Sequence, residues 1–157
     1  MNQIRIASLP ESFLDSVRTH GLDDLGQPVK RVTAEGGEPC RDVLRRARAG
    51  EELILASFSP FVRVGPYKEY GPVFVLANPS DERVEWDVLP IEGMPPYLRE
   101  QFVIRAYSDA EEIRDAVLTS PRDSAAAITR FLDNDETAFL HVRFPTYGCF
   151  ALRIDRA

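Results

Sequence analysis

The chain has 157 residues, 44% of them hydrophobic and 28% charged, with 25 acidic against 19 basic residues and a formal net charge of −6. That composition fits a single globular domain over residues 1–157 with a substantial core, and it excludes a disordered or fibrous chain. The acidity argues against a general nucleic-acid binder, whose affinity comes from neutralising phosphates.

Two cysteines make no disulfide framework, so a reduced, cytoplasmic setting is expected. The opening Met1-Asn2-Gln3-Ile4-Arg5-Ile6 shows no secretory signal. No window approaches the roughly 20 apolar residues that span a bilayer, so no membrane partner is expected.

In chain order, "NQIRIASL" alternates around Ile4 and Ile6 and predicts a short strand. Pro10 to about Thr19 reads as a helix with Phe13, Leu14 and Val17 on one side, and the Gly/Asp/Pro-rich residues 21–37 read as loop. From Pro39 to Gly50 a helix is predicted. Cys40, Val43, Leu44 and Ala47 fall at i, i+3, i+4 and i+7, with Pro39 at the first position, Gly50 as a C-cap, and Arg41, Arg45 and Arg48 along one flank.

"ELILASF" and "PVFVLA" are near-continuous apolar runs suited to central strands. Between them "SPFVRVGPYKEYGP" is a long connection of a kind that is often functional. A strand around Val84 to Val88, the Pro-rich "LPIEGMPPYL" and the alternating strand "QFVIRAY" follow. Two helices are then expected, Asp109 to Leu118 and Pro121 to Leu132, the second burying Ile128, Phe131 and Leu132.

The last segment, "FLHVRFPTYGCFALRID", predicts a hairpin of Phe139–Phe144 with Gly148–Ile154. Setting Val142 against Phe150 and Leu140 against Leu152 builds one apolar face. The other face then carries His141 and Arg143 beside Cys149, with Arg143 directly across from the thiol. A thiolate needs a positive charge or a base nearby, so Cys149 and His141 form a candidate catalytic pair. Cys40, near a predicted helix N-terminus, is a second thiol candidate.

Arg5, Arg63, Arg105, Arg143 and Arg153 each stand between apolar neighbours. If their strands are adjacent, one sheet face gathers guanidinium groups, which match carboxylate and phosphate geometry. Arg105, Tyr107, Arg143, Tyr147 and Arg153 are therefore the candidate ligand-binding residues for a small anion. Tyr67, Tyr70 and Tyr147 stand at strand entrances, where they cap a core or line a pocket mouth. No phosphate loop, nucleophile elbow or HExxH is present, and no metal site or cofactor is assigned.

The phrases "PCR", "GEELILASFSPF", "GPYKEYGPVFVLA", "IRAY" and "HVRFPTYGCFALRIDRA" together resemble the bacterial family called domain of unknown function 1203. The resemblance covers about Pro39 to Ala157. It implies a small single-domain bacterial protein and supplies no activity. In that family's pattern a second cysteine often follows three residues after the one matching Cys40, and a histidine stands where this chain has Leu76. Here those positions hold Val43 and Leu76, so the resemblance carries no metal cluster over.

The order of elements predicts an α+β fold, a mainly antiparallel sheet with helices packed chiefly on one face. Three functional readings follow. The first is a binding protein or enzyme for a small anionic ligand on an arginine-lined sheet face. The second is a thiol-dependent enzyme or redox sensor, and the third a non-enzymatic interaction module presenting the "SPFVRVGPYKEYGP" loop or a sheet edge. Oligomeric state stays open.

Overall fold

The structure is a computed structural model and describes residues 3–157. Its strands are β1 (Ile4–Ala7), β2 (Lys30–Thr33), β3 (Pro39–Cys40), β4 (Arg45–Arg46), β5 (Glu52–Phe58), β6 (Gly71–Leu76), β7 (Phe102–Tyr107), β8 (Ile113–Thr119), β9 (Phe139–Arg143) and β10 (Phe150–Arg156). Helix α1 (Glu11–Asp15) runs on into a π-helical turn, Ser16–His20, and α2 spans Pro121–Leu132. The strands form two five-stranded sheets, ordered β1-β10-β9-β7-β8 and β2-β5-β6-β3-β4. The first is antiparallel throughout, and in the second only the β3–β6 contact is parallel. The fold is a mostly-sheet α+β arrangement with two antiparallel-rich sheets.

Alternation accounts for the first sheet's two faces. Phe102, Ile104, Leu140, Val142, Leu152 and Ile154 point to one side and are buried against Ile128, Phe131 and Leu132 of α2. Helix α2 begins where its sequence signals it, with the Ser120 side chain accepting from the Asp123 N–H and Pro121 in the first turn. On the second sheet, α1 and its π-turn lay Phe13 and Val17 against Ile54, Ala56, Val73 and Val75. The helices thus divide between two sheets. Phe150 of the first sheet joins this second cluster, with its ring centroid 5.5 Å from that of Phe58.

Three predicted elements take a different form. The segment predicted as a helix from Pro39 to Gly50 is a tight β3–β4 hairpin, in which Leu44 adopts φ 50° and turns the chain. Its apolar residues do not share one face. Cys40, Val43 and Ala47 pack on Leu53 and Leu76, while Leu44 enters the first cluster. The segment predicted as a helix over Asp109 to Leu118 is edge strand β8, with Ile104 opposite Val117 and Phe102 opposite Thr119. Residues 84–88 form no strand, although the Ile6 N–H donates to the Trp86 carbonyl at 2.6 Å.

Strand β2 lies inside the stretch read as loop. In the predicted first strand Asn2 lies outside the described residues, and Ile4–Ala7 form β1 while Gln3, Ser8 and Leu9 lie outside it. No helix among the described residues is long and apolar enough to cross a membrane.

The edge position of β8 has a measurable consequence. Leu118 is exposed, whereas Leu140 is fully buried in the first cluster. Leu118→Ala should therefore change stability by no more than about 0.5 kcal/mol, and Leu140→Ala should cost about 2–5 kcal/mol. Urea unfolding of both variants checks this, and equal losses would contradict the strand assignment.

Candidate functional site

The antiparallel register sets Arg105, His141 and Arg153 in one row across β7, β9 and β10. Arg143 lies one pleat further along the same face, opposite Phe150. The adjacency that a shared arginine face requires is therefore present for Arg105, Arg143 and Arg153. Arg5 opposes Asp155 at the sheet edge, and Arg63 lies in the 59–70 connection, paired with Asp109 at 3.4 Å.

This face is largely occupied. The 59–70 connection lays Phe61 on Tyr107 and His141, and its Glu69 carboxylate pairs with Arg143 and lies 3.8 Å from Arg105. The Glu111 carboxylate anchors the same connection by accepting from the Val62 and Arg63 N–H groups at 3.0 and 2.5 Å. Arg153 is held by Asp155 at 2.8 Å and lies 4.0 Å over the Phe139 ring. Tyr107 is buried and stacked on Phe139.

His141 sits at the centre of this layer with no exposed surface. Rings of Tyr107, Phe61, Phe139 and Phe150 surround it at 4.7 to 5.2 Å, and neither of its nitrogens has a hydrogen-bond partner among the described residues. Burial, reinforced by the charges of Arg143, Arg153 and Arg105, pushes the imidazole well below its ordinary range. The ring is neutral and enclosed.

The expected pairing of Cys149 with His141 is not formed. A β-bulge between Phe150 and Leu152 moves the register, so that Phe150 opposes Arg143 and Leu152 opposes Val142. Phe150 takes the place beside His141, and Cys149 packs against the first cluster on the other side of the sheet. Cys40 is not at a helix N-terminus. It is fully buried, and burial with the nearby Asp42 charge pushes its thiol up to about 12.

Between the sheets opens a cleft of about 1260 Å³. Of the five candidate ligand residues, Arg143 and Tyr147 line it, while Arg105, Tyr107 and Arg153 do not. Cys149 also lines it, as do Arg41, Arg46 and Arg99. These three arginines are the cleft residues that sequence reasoning missed. The dense run "RDVLRRAR" marks two of them, but nothing in it tells which arginines will lack a carboxylate.

The cleft arginines differ from several others in their partners. Arg18 pairs with Asp42 at 2.7 Å, and Arg45 pairs with both Glu51 and Glu82, holding the Glu51 carboxyl down to about 2. By contrast, no carboxylate lies within ion-pair distance of Arg41, Arg46 or Arg99 among the described residues. Arg41 is only 3% exposed; its Nε donates to the Phe150 carbonyl and its Nη1 to Pro39. Arg46 donates to the Tyr97 and Gly37 carbonyls. Both guanidinium groups lie about 5 Å from the Phe144 ring centroid. Burial, with the neighbouring charges of Arg99 and Arg41, lowers the Arg46 pKa from its usual value. The cleft therefore gathers four guanidinium groups, counting Arg143, against the carboxylates of Glu69 and Glu100.

A family model described as "Protein of unknown function (DUF1203)" matches residues 37–156. The chain belongs to that family. Among curated proteins and among solved structures, none matches it. Among the described residues no group of three His, Cys, Asp or Glu side chains is placed to hold a metal ion. At the positions the resemblance singled out, Cys40, Val43 and Leu76 share one apolar cluster.

Two expectations follow. Iodoacetamide at neutral pH should modify Cys149 in the native protein and leave Cys40 unmodified until denaturant is added, as read by peptide mapping. For His141 the sign is set by proton uptake. The unfolded ring binds a proton near pH 6.5, and the folded ring does not. Its contribution to stability is thus complete above pH 6.5 and falls as pH drops below it, by up to about 1.4 kcal/mol per pH unit. Urea titrations at about pH 7.5 and about pH 5.5 should show a smaller acid loss for His141→Phe than for the parent.

Proposed function

We propose that the protein binds a small anionic ligand in the cleft between the two sheets, with Arg41, Arg46 and Arg99 supplying the charge. The observation that carries this reading is that three arginines with no carboxylate partner among the described residues converge on one cleft, while Arg18, Arg45 and Arg153 each have one. For the buried Arg41 and half-buried Arg46, desolvating a cation with only neutral acceptors is costly; an anion entering the cleft offsets that cost, and the exposed Arg99 adds charge at the opening. Planar guanidinium groups suit a carboxylate or phosphate. Arg143 takes part through its position at the cleft wall, although Glu69 already neutralises it in part. Tyr147, 90% exposed on the β9–β10 turn, borders the opening.

The reading moves the site from the arginine face to the seam beside it. It leaves catalysis open, since the enclosed His141 offers no accessible base. The test is a thermal-shift screen against anionic metabolites. A ligand at about 100 times its Kd stabilises the native state by about 2.7 kcal/mol, a shift of several degrees. The shift should shrink in Arg99→Gln, whose exposed side chain can be changed without disturbing the core. A panel without a single shift would overturn the proposal.

A further inference from the structure

We infer that the ligand is an amphipathic anion, one carboxylate or phosphate head on a hydrocarbon or aromatic body; this rests on the anion reading above and names its substrate class. The argument comes from the cleft's second wall. On the second sheet Leu53, Leu55 and Ser57 of β5 oppose Leu76, Phe74 and Pro72 of β6, so these six side chains share one face. The β3–β4 hairpin covers one end of that face, where Cys40, Val43 and Ala47 pack on Leu53 and Leu76. It stops short of the other end. Leu55, Pro72 and the half-buried Phe74, which also packs on that cluster, form an apolar strip along the cleft, continued by Tyr70. From Phe74 to Tyr70 is four residue steps, about 13 Å of extended chain.

The charge and the strip begin at the same point. Cys40 opposes Phe74, and the Arg41 N–H donates to the Phe74 carbonyl at 3.0 Å. Across the cleft, Phe144 carries Arg41 and Arg46 on its ring, and Pro145 and Tyr147 continue that wall outward. The cleft thus has a cationic end and an apolar length. Its volume, about 1260 Å³, is far more than a bare inorganic anion fills and exceeds the roughly 300–1,000 Å³ usual for small-molecule sites. A multiply charged polar metabolite would leave Leu55 and Phe74 against polar groups, whereas an apolar body removes both from water.

Calorimetric titration with decanoate, decyl phosphate, acetate, inorganic phosphate and decanol, all below their aggregation thresholds, tests this. The two decyl anions should bind about 100-fold or more tightly than acetate and inorganic phosphate, in line with the gain from burying several methylenes. Arg99→Gln should weaken all four anions. Leu55→Gln, and separately the exposed Tyr70→Ser, should weaken only the decyl anions. Short and long anions binding equally would overturn the amphipathic ligand and leave the anion site standing. Decanol binding as tightly as decanoate would overturn the charged head, and with it the anion reading. No binding by any probe would overturn both.

Discussion

The two sheets meet where the last strand breaks its own ladder. At the β-bulge between Phe150 and Leu152 two strand carbonyls take donors from distant parts of the chain. Arg41 Nε donates to Phe150 at 2.9 Å, and the Tyr97 hydroxyl donates to Ala151 at 2.7 Å. Both bonds are buried, where an unsatisfied carbonyl costs about 1–3 kcal/mol. Arg46 in turn holds the Tyr97 carbonyl. One irregularity in β10 thus fixes the β3–β4 hairpin, the 95–99 loop and the first sheet against one another. The cleft is the space that this arrangement leaves open.

The same seam explains the uneven treatment of the arginines. Arg45, stapled between Glu51 and Glu82, has carboxylates of its own. The arginines at the seam are held by carbonyls and by the Phe144 ring, which satisfy geometry without cancelling charge. A cluster of uncancelled positive charge inside an acidic protein is a local property, invisible in a net charge of −6.

Much of the fold was legible in the sequence, and the failures have physical causes. Helix α2, strands β5 to β7 and the closing hairpin announce themselves by caps and periodicity. The Pro39–Gly50 stretch has a helical stripe, but Leu44 reverses the chain and sends its apolar residues into two separate clusters. In β8 a bulge puts half-buried Val117 against the first cluster and half-buried Ile113 against Tyr107 on the opposite face, so no simple alternation marks the strand. A single bulge then moved Cys149 away from His141, an event that alternation alone cannot reveal. The candidate site was legible only in part. Arg143 and Tyr147 lie where the reasoning pointed, and the seam arginines depend on tertiary partners that no local pattern encodes.

The strand order carries a kinetic consequence. β10 follows every other element in chain order yet sits inside the first sheet, between β1 and β9. Ile4 opposes Arg156, and the Ala157 N–H reaches the Gln3 carbonyl. Strand β1 therefore has no sheet partner until the final residues are in place, so this sheet can close only through contacts of very large sequence separation. Chains organised in this way pay the entropy of a long loop before the ladder returns it, which places their assembly toward the slow end for domains of this size.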